Sequence, residues 1–249
     1  MLKESEWNNI NKILLDLYTL DNIESLASKF MRMCKMLIPH TESYFMVLDE
    51  NQNIANDMKF YIGEDDTAIE KYETAYYDDD YLKFLYDITK DTVVFKDSDI
   101  LPDDVRMETN YFKEYLKPKN IPYACGILIA KEGVIRGILT FFRGAEGDFT
   151  DKEVYILNII KDHLQNKFYS LLDARESGRG VKEIKNEYQL TKREIDVLKL
   201  VNCGYTNEEI ANILVVTLDT VKKHIYNLYK KTGVTSRVQL LRMISEKQQ

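Results

Sequence analysis

The chain is poor in the residues that punctuate or staple a fold. Four prolines and ten glycines among 249 residues leave no Pro/Gly-rich linker, and no low-complexity tract or internal repeat is visible. The three cysteines, Cys34, Cys125 and Cys203, are odd in number, widely spaced and without a CxxC pair, which argues against a disulfide framework and a zinc site. All three are read as reduced and mostly buried, Cys203 as core beside Gly204. A redox role for Cys34 or Cys125 would need a poised thiolate, and Cys125 lies in an apolar run where the inert thiol is favoured. Long apolar runs are also missing: YACGILIA (123–130) and GVIRGILTFF (133–142) fall well short of the roughly 20 residues a bilayer demands. The opening MLKESEWNNI lacks the basic end and apolar stretch of a signal peptide, so a cytoplasmic protein with no membrane partner is expected. No Ser/His/Asp set and no Gly-rich phosphate loop stands out, so no catalytic residue, metal or cofactor is assigned and the chain is not expected to be an enzyme.

What is present is an uneven charge. The net charge is -7, yet from Arg175 to Gln249 there are 14 Lys+Arg against 9 Asp+Glu, while residues 1–174 hold 20 against 32. A basic C-terminal module at +5 behind an acidic body at -12 is the pattern of a small nucleic-acid binder carried by a regulatory domain. The length suits two ordinary domains.

Residues 5–38 carry Ile10, Leu14, Leu17, then Leu26, Phe30, Met33 and Leu37 at helical spacing, which predicts two helices with Asp21 as a cap of the second, ended by Pro39. SYFMVLDE (43–50) and MKFYI (58–62) predict a pair of strands around a DENQN turn. A helix is predicted over about 66–89, a short strand at TVVF (92–95), a helical turn at YFKEYL (111–116), and a hairpin over 121–143 around Lys131-Glu132-Gly133. Thr150 with Glu153 forms a capping box, and Val154, Leu157, Ile160, Leu164 and Phe168 carry a long exit helix to about Leu172. The order suits an α+β domain with one antiparallel sheet flanked by helices. The stretch GILTFFRGAEGDFTDKEVYILNIIKDHL (137–164) resembles the end of GAF domains, and the element order extends that likeness over residues 5–172. The resemblance implies a module that senses a small molecule or a partner. RESGRGVKEIKNE (175–187) is polar and reads as a connector between a domain at 1–174 and another at 188–249.

The last segment predicts four helices. Capping boxes pair Thr191 with Glu194 and Thr206 with Glu209, Thr217 caps a third helix, and Ser236 caps a fourth whose Val238, Leu241 and Ile244 share one side. In the third helix Val221, Ile225 and Leu228 point into the core, leaving Thr220, Lys222, Lys223, Tyr226, Asn227 and Lys230 outside, with Asp219 the one acid between Thr217 and Gly233. Such a helix fits the major groove. Lys222, Lys223 and Tyr226 are the candidate base readers. Thr206 and Thr217, with the backbone N–H groups of the two helix starts including Asn207, are candidates for phosphate contact. Thr220 and Lys230 suit either role, and the helix-turn-helix itself spans Thr206 to Ile225.

The run LTKREIDVLKLVNCGYTNEEIANILVVTLDTVKKHIYNLYKKTGVTSR (190–237) resembles the LuxR-type helix-turn-helix of bacterial transcription regulators, through LTxRE, NEEIA, TVKxHI and KTGVTSR. The resemblance implies homodimeric binding to two half-sites of duplex DNA, dimer contacts through Ser236 to Glu246, with the N-terminal domain a further candidate, and contact with RNA polymerase. Leu218-Asp219 departs from many relatives, which leaves sequence preference open. His224 is read as packed or touching backbone. Asp78-Asp79-Asp80 is read as a solvated acidic turn or helix face rather than a metal or phosphoacceptor cluster. Tyr72, Tyr76, Tyr77, Tyr81, Tyr86, Tyr111, Tyr115 and Tyr123 are read as core or half-buried surface, with an effector pocket the competing reading. A phosphorylated receiver would need βα alternation and strand-end acids that residues 1–100 do not supply. An acyl-homoserine-lactone receptor is disfavoured because that family's motif uses several tryptophans and this chain has only Trp7. A reductase-like activity of the N-terminal domain is the alternative from another class.

Overall fold

The computed structural model describes residues 1–49, 51–63 and 67–247, apart from the side chains of Asp87, Ser177 and Arg179. Its contacts divide the chain into two compact units, Met1–Tyr169 and Ser170–Gln249.

The first unit opens with α1 (Glu4–Thr19) and α2 (Ile23–Cys34), which bury Ile10, Ile13 and Leu17, then Leu26, Phe30 and Met31. The cap of α2 is Asn22 rather than Asp21: the Asn22 side chain accepts the Ser25 N–H at 2.8 Å, and Asp21 accepts the Asn22 amide at 2.7 Å. Five strands follow, β1 (Glu42–Leu48), β2 (Ile54–Ile62), β3 (Val93–Lys96), β4 (Tyr123–Lys131) and β5 (Val134–Arg143), in the order β2-β1-β5-β4-β3. Every pairing is antiparallel. Glu50 of the expected DENQN turn lies outside the described residues. Side chains alternate across the sheet. Tyr44, Met46, Leu128, Ile138 and Phe142 join an aromatic-rich cluster on one face. On the other, Phe45 meets Phe168 of α7 (Asp151–Glu187), ring centroids 5.9 Å apart.

The helix expected over 66–89 is broken, and its proposed start at residue 66 lies outside the described residues. Only α3 (Ala68–Lys71), a π-helical turn (Tyr72–Tyr76) and α4 (Phe84–Ile88) form. The cause is Asp80. Its carboxylate turns inward to accept the Leu82 N–H at 2.8 Å and the Tyr72 hydroxyl at 2.6 Å, a local bond that competes with helix propagation. A second π-helical turn, Phe112–Leu116, stands where the helical turn was expected. The loop before it holds two short helices the pattern did not show, α5 (Asp97–Ile100) and α6 (Asp103–Arg106). Buried Arg106 ties them together through Asp97 and Asp103, each at 2.9 Å.

The entry to α7 is fixed by a buried ion pair. Arg143, at the end of β5, meets both oxygens of Glu153 at 2.7 and 2.9 Å and donates to the carbonyls of Pro39, Gly147 and Asp148. Glu153 also accepts the Thr150 N–H at 2.8 Å, completing the capping box.

In the second unit the stretch 175–187, expected as a connector, is helical, and Val181 and Ile184 are buried in the core of this unit. Four helices complete it: α8 (Lys192–Asn202), α9 (Asn207–Leu214), α10 (Leu218–Thr232) and α11 (Arg237–Glu246). Both predicted capping boxes form, and Thr217 and Ser236 cap as expected. Two expectations of burial fail. Cys203 is exposed, because it is the C-cap of α8 rather than part of its apolar stripe. Val238 is also exposed, because α11 buries the i, i+4 pair Leu240 and Ile244 and leaves Leu241 at the margin. Between α9 and α10, Val215 adopts a left-handed conformation at φ 53°, which costs a β-branched residue about 1–2 kcal/mol.

Glu153→Ala would leave the Arg143 guanidinium buried without its anion. A destabilisation of about 3–5 kcal/mol is expected, read from urea unfolding of the full chain.

Candidate nucleic-acid interface and ligand cavity

The face of α10 follows from its periodicity. Val221, Ile225 and Leu228 are buried, and the turns between them carry Lys222, Lys223, Tyr226 and Lys230 into solvent, Tyr226 at 66 % exposure. Thr220 and Asn227 are half-buried on the same side, and His224 is half-buried. The described ion pairs of this unit use other groups: Arg193 with Asp196, Lys231 with Glu194, Arg242 with Glu246 and Lys247 with Glu187. Arg193 also donates to the Leu214 carbonyl, and Arg237 to the carbonyls of Val201 and Tyr205. Lys222, Lys223 and Lys230 therefore face solvent without an ion pair among the described residues, while neighbouring cations hold the scaffold together.

The two helix starts differ. At α9 the Thr206 N–H is taken by the Glu209 carboxylate at 2.7 Å, and Glu208 and Glu209 place two acids in the first turn. Those Thr206 hydrogen bonds, from its backbone and its hydroxyl, hold the Glu209 carboxyl below the usual range. Asn207 is half-buried beside them. At α10 there is no such box: the Thr217 hydroxyl accepts the Thr220 N–H at 3.2 Å and shares a hydrogen bond with the Thr220 hydroxyl at 2.8 Å. One hydroxyl proton of that pair remains for an outside acceptor, and Asp219 is the one acid in the turn. The start of α10 is the better anion site of the two.

Glu194 sets the tilt of α10 on α8. It is buried, caps α8 through the Thr191 N–H at 2.8 Å, and receives the Lys231 ammonium at 2.7 Å. Burial pushes its carboxyl up, but Lys231 and the Thr191 hydrogen bonds outweigh this and hold it below the ordinary 4.5.

In the first unit the aromatic face of the sheet encloses a cavity of about 20 Å³ lined by Tyr44, Tyr72, Asp80, Tyr86, Leu128 and Thr140 among others, room for about one water. Asp80 and Tyr86 also line an open cleft of about 720 Å³ with Gln52, Tyr77, Tyr81 and Lys83. These two side chains are a wall shared by the closed cavity and the cleft. Of the tyrosines singled out in the sequence, Tyr72, Tyr77, Tyr81 and Tyr86 line one or other space. Tyr76, Tyr111 and Tyr115 pack in the surrounding cluster, and Tyr123 lies against Arg106. Tyr44 and Asp80 were missed as lining residues. Tyr44 shares the inward parity of β1 with Met46 and Leu48, which could have found it; the inward turn of Asp80 left no periodic signal. Asp80 is no part of a solvated acidic surface: desolvation pushes its carboxyl up to about 6, against the lowering pull of Tyr72 and Leu82. No group of side chains that could hold a metal is present among the described residues.

The geometry defines two classes of module, a basic helix-turn-helix and an aromatic-cored antiparallel α+β domain. Residues 188–244 match the family described as bacterial regulatory proteins, luxR family, so the second unit carries a luxR-family helix-turn-helix domain. Among curated proteins, the HTH-type transcriptional regulator MalT of Yersinia pestis is 41% identical over 86 residues, 33% of this chain and 10% of that protein. MalT of Serratia proteamaculans is 40% identical over the same shares. The chain thus spans about a tenth of the length of these relatives. The VqsR LBD domain of Pseudomonas aeruginosa, at 15% identity, covers 68% of this chain and 99% of that one with a TM-score of 0.50, which places the first unit in that fold. The likeness to GAF domains rests on the short 137–164 stretch and on element order. No described helix is long and apolar enough to cross a membrane.

Two carboxylates give opposite pH limbs. Glu194 is depressed, so its stabilisation is full above about 4.5 and is lost as pH falls through the lowered value; Glu194→Gln should flatten that acid limb. Asp80 is raised, so its contribution is full below 3.8 and lost as pH rises through about 6. Asp80→Asn should accordingly match the parent near pH 4 and exceed it in melting temperature at pH 7.5, in thermal scans from pH 3.5 to 8.

Proposed function

We propose that the chain is a bacterial transcription regulator that binds duplex DNA through α9 and α10, under control of a ligand bound in its first unit. The observation that carries this reading is the outer face of α10, where Lys222, Lys223 and Lys230 stand exposed and without an ion pair among the described residues, on a luxR-family scaffold. Lys222, Lys223 and Tyr226 read base edges; Thr217 and the start of α10 hold a phosphate, with Thr206 and Asn207 on the flanking strand. Thr220, Asn227 and Lys230 complete the contact. The chain acts as a homodimer on two half-sites, with α11 as one contact, a role supported by Val238 at 75 % exposure beside half-buried Leu241. It works on RNA polymerase in the cytoplasm, as the luxR likeness suggests.

The first unit is taken as a binding rather than a catalytic domain, needing no cofactor. Its effector, a small molecule or partner group with an apolar body and a hydrogen-bond donor, enters from the cleft, displaces the Asp80–Tyr86 wall and donates to Asp80. The raised carboxyl of Asp80 supports this, since a buried anion that weakens the fold is a common mark of a binding site. Control follows by linkage: the effector shifts DNA affinity only by its preference for one arrangement of the chain. The antiparallel sheet speaks against the phosphorylated receiver, which needs βα alternation.

Binding of the full chain to duplex selected from a random-sequence pool should fall steeply with salt, as neutralised phosphates release counterions. Lys222→Ala should relax sequence choice, and joint alanine replacement of Lys222, Lys223 and Tyr226 should abolish the footprint. An unchanged footprint in the triple variant would overturn the DNA reading.

A further inference from the structure

Three helix ends of the second unit turn through the left-handed region in the same way. After α8 the residue is Gly204 at φ 86°, and after α10 it is Gly233 at φ 75°. After α9 it is Val215, at φ 53°. Glycine is the ordinary occupant, because it has no Cβ to meet the following carbonyl. Among the described residues, the other non-glycine positions with positive φ are Gln52, Asn120, Glu132 and Gln189. Val215 is the one β-branched member of that set.

Nothing in the turn requires the side chain. The backbone closes the helix by itself, with the Val216 N–H on the Ala211 carbonyl at 3.0 Å and the Val215 N–H on the Asn212 carbonyl at 3.3 Å. The apolar anchor of the turn is the next residue, half-buried Val216, which packs against the core of the unit. Val215 is 89 % exposed. The chain thus carries a strained backbone for an isopropyl group that packs on nothing in its own fold. Strain of this kind is kept where the side chain acts outside the molecule. What lies beside it is the start of α10: Thr217 is two residues on, followed by Thr220 and Lys222 on the exposed face. The N-terminal end of the second helix in a helix-turn-helix is the part that meets base edges.

We propose that Val215 is an apolar DNA contact of the helix-turn-helix, its methyl groups resting on a thymine methyl or a deoxyribose carbon at the edge of the major groove. The proposal rests on the DNA-binding reading above. It adds a contact class, apolar and indifferent to salt, to the cationic and hydroxyl contacts of α10.

The test compares Val215→Gly, Val215→Asn and Val215→Ile with the parent, as full chains on the duplex that the parent selects from a random-sequence pool. Glycine and asparagine accept the left-handed turn, so both variants should melt higher than the parent while binding about tenfold more weakly. Val215→Ile should bind within about twofold of the parent. Replacing thymine by deoxyuridine in the duplex separates the two sources. If the parent falls to the level of the glycine variant, the contact is the thymine methyl; if the parent is unaffected while the variants stay weak, it is the sugar. Variants that melt higher and bind as tightly as the parent overturn the proposal. If they also lose promoter activation in a reporter strain, Val215 meets a protein instead. A Lys222/Lys223/Tyr226 triple variant, run alongside, keeps the two failures apart: its loss of binding with no effect at Val215 defeats this contact alone, whereas an unchanged triple variant defeats the DNA reading and this contact with it.

Discussion

The presentation of α10 depends on one buried carboxylate. Glu194 caps the start of α8 and holds the Lys231 ammonium from the far end of α10, so a single side chain fixes the angle between scaffold and exposed helix. It works because a capping-box glutamate is already aimed back at its own helix start, where the oxygen that accepts the cap N–H also receives the cation. Glu153 uses the same geometry in the first unit, where the cation is Arg143 and the elements joined are β5 and α7. The box at Thr206 and Glu209 recruits no cation from a described residue, and its helix is short. These two buried boxes join elements, whereas the box at Thr206 only starts its own helix.

Much of this was legible because it is local. Thr191, Thr206, Thr217 and Ser236 cap where their spacing to the next apolar stripe requires, and the 121–143 hairpin follows from two apolar runs around Glu132-Gly133. The outer face of α10 was equally readable, since Val221, Ile225 and Leu228 leave a single orientation. The rest needed contacts between distant residues. Tyrosines at helical intervals suggested an unbroken helix over 66–89, but the burial of Asp80 against Tyr72 bends the chain into turns. Arg106 reads as a surface residue until Asp97 and the Pro122 carbonyl are brought to it. In α11 a choice between 238/241/244 and 240/244 was settled by what α8 offers to pack against, which no property of the ten residues reveals.

The aromatic cluster of the first unit shows how tyrosine can fill a core and still leave polar handles inside it. Tyr44 and Tyr115 bond hydroxyl to hydroxyl, Tyr115 reaches the Ala68 carbonyl, and Tyr81 donates to Asp97. Such phenols lose little rotamer entropy on burial and keep a donor wherever the ring is placed. Asp80 and Tyr86 stand at the edge of this arrangement, lining both the closed cavity and the open cleft.

The cysteines bear on how the molecule can be watched. Burial pushes the thiols of Cys34 and Cys125 far up and out of reach of reagents, while Cys203 lies in the open at the end of α8. A maleimide dye added to the folded natural sequence would therefore mark one atom, on the helix-turn-helix unit at the end of α8. Fluorescence anisotropy of that dye would follow the tumbling of the labelled chain as it takes up DNA, with no engineered residue and no second label to subtract.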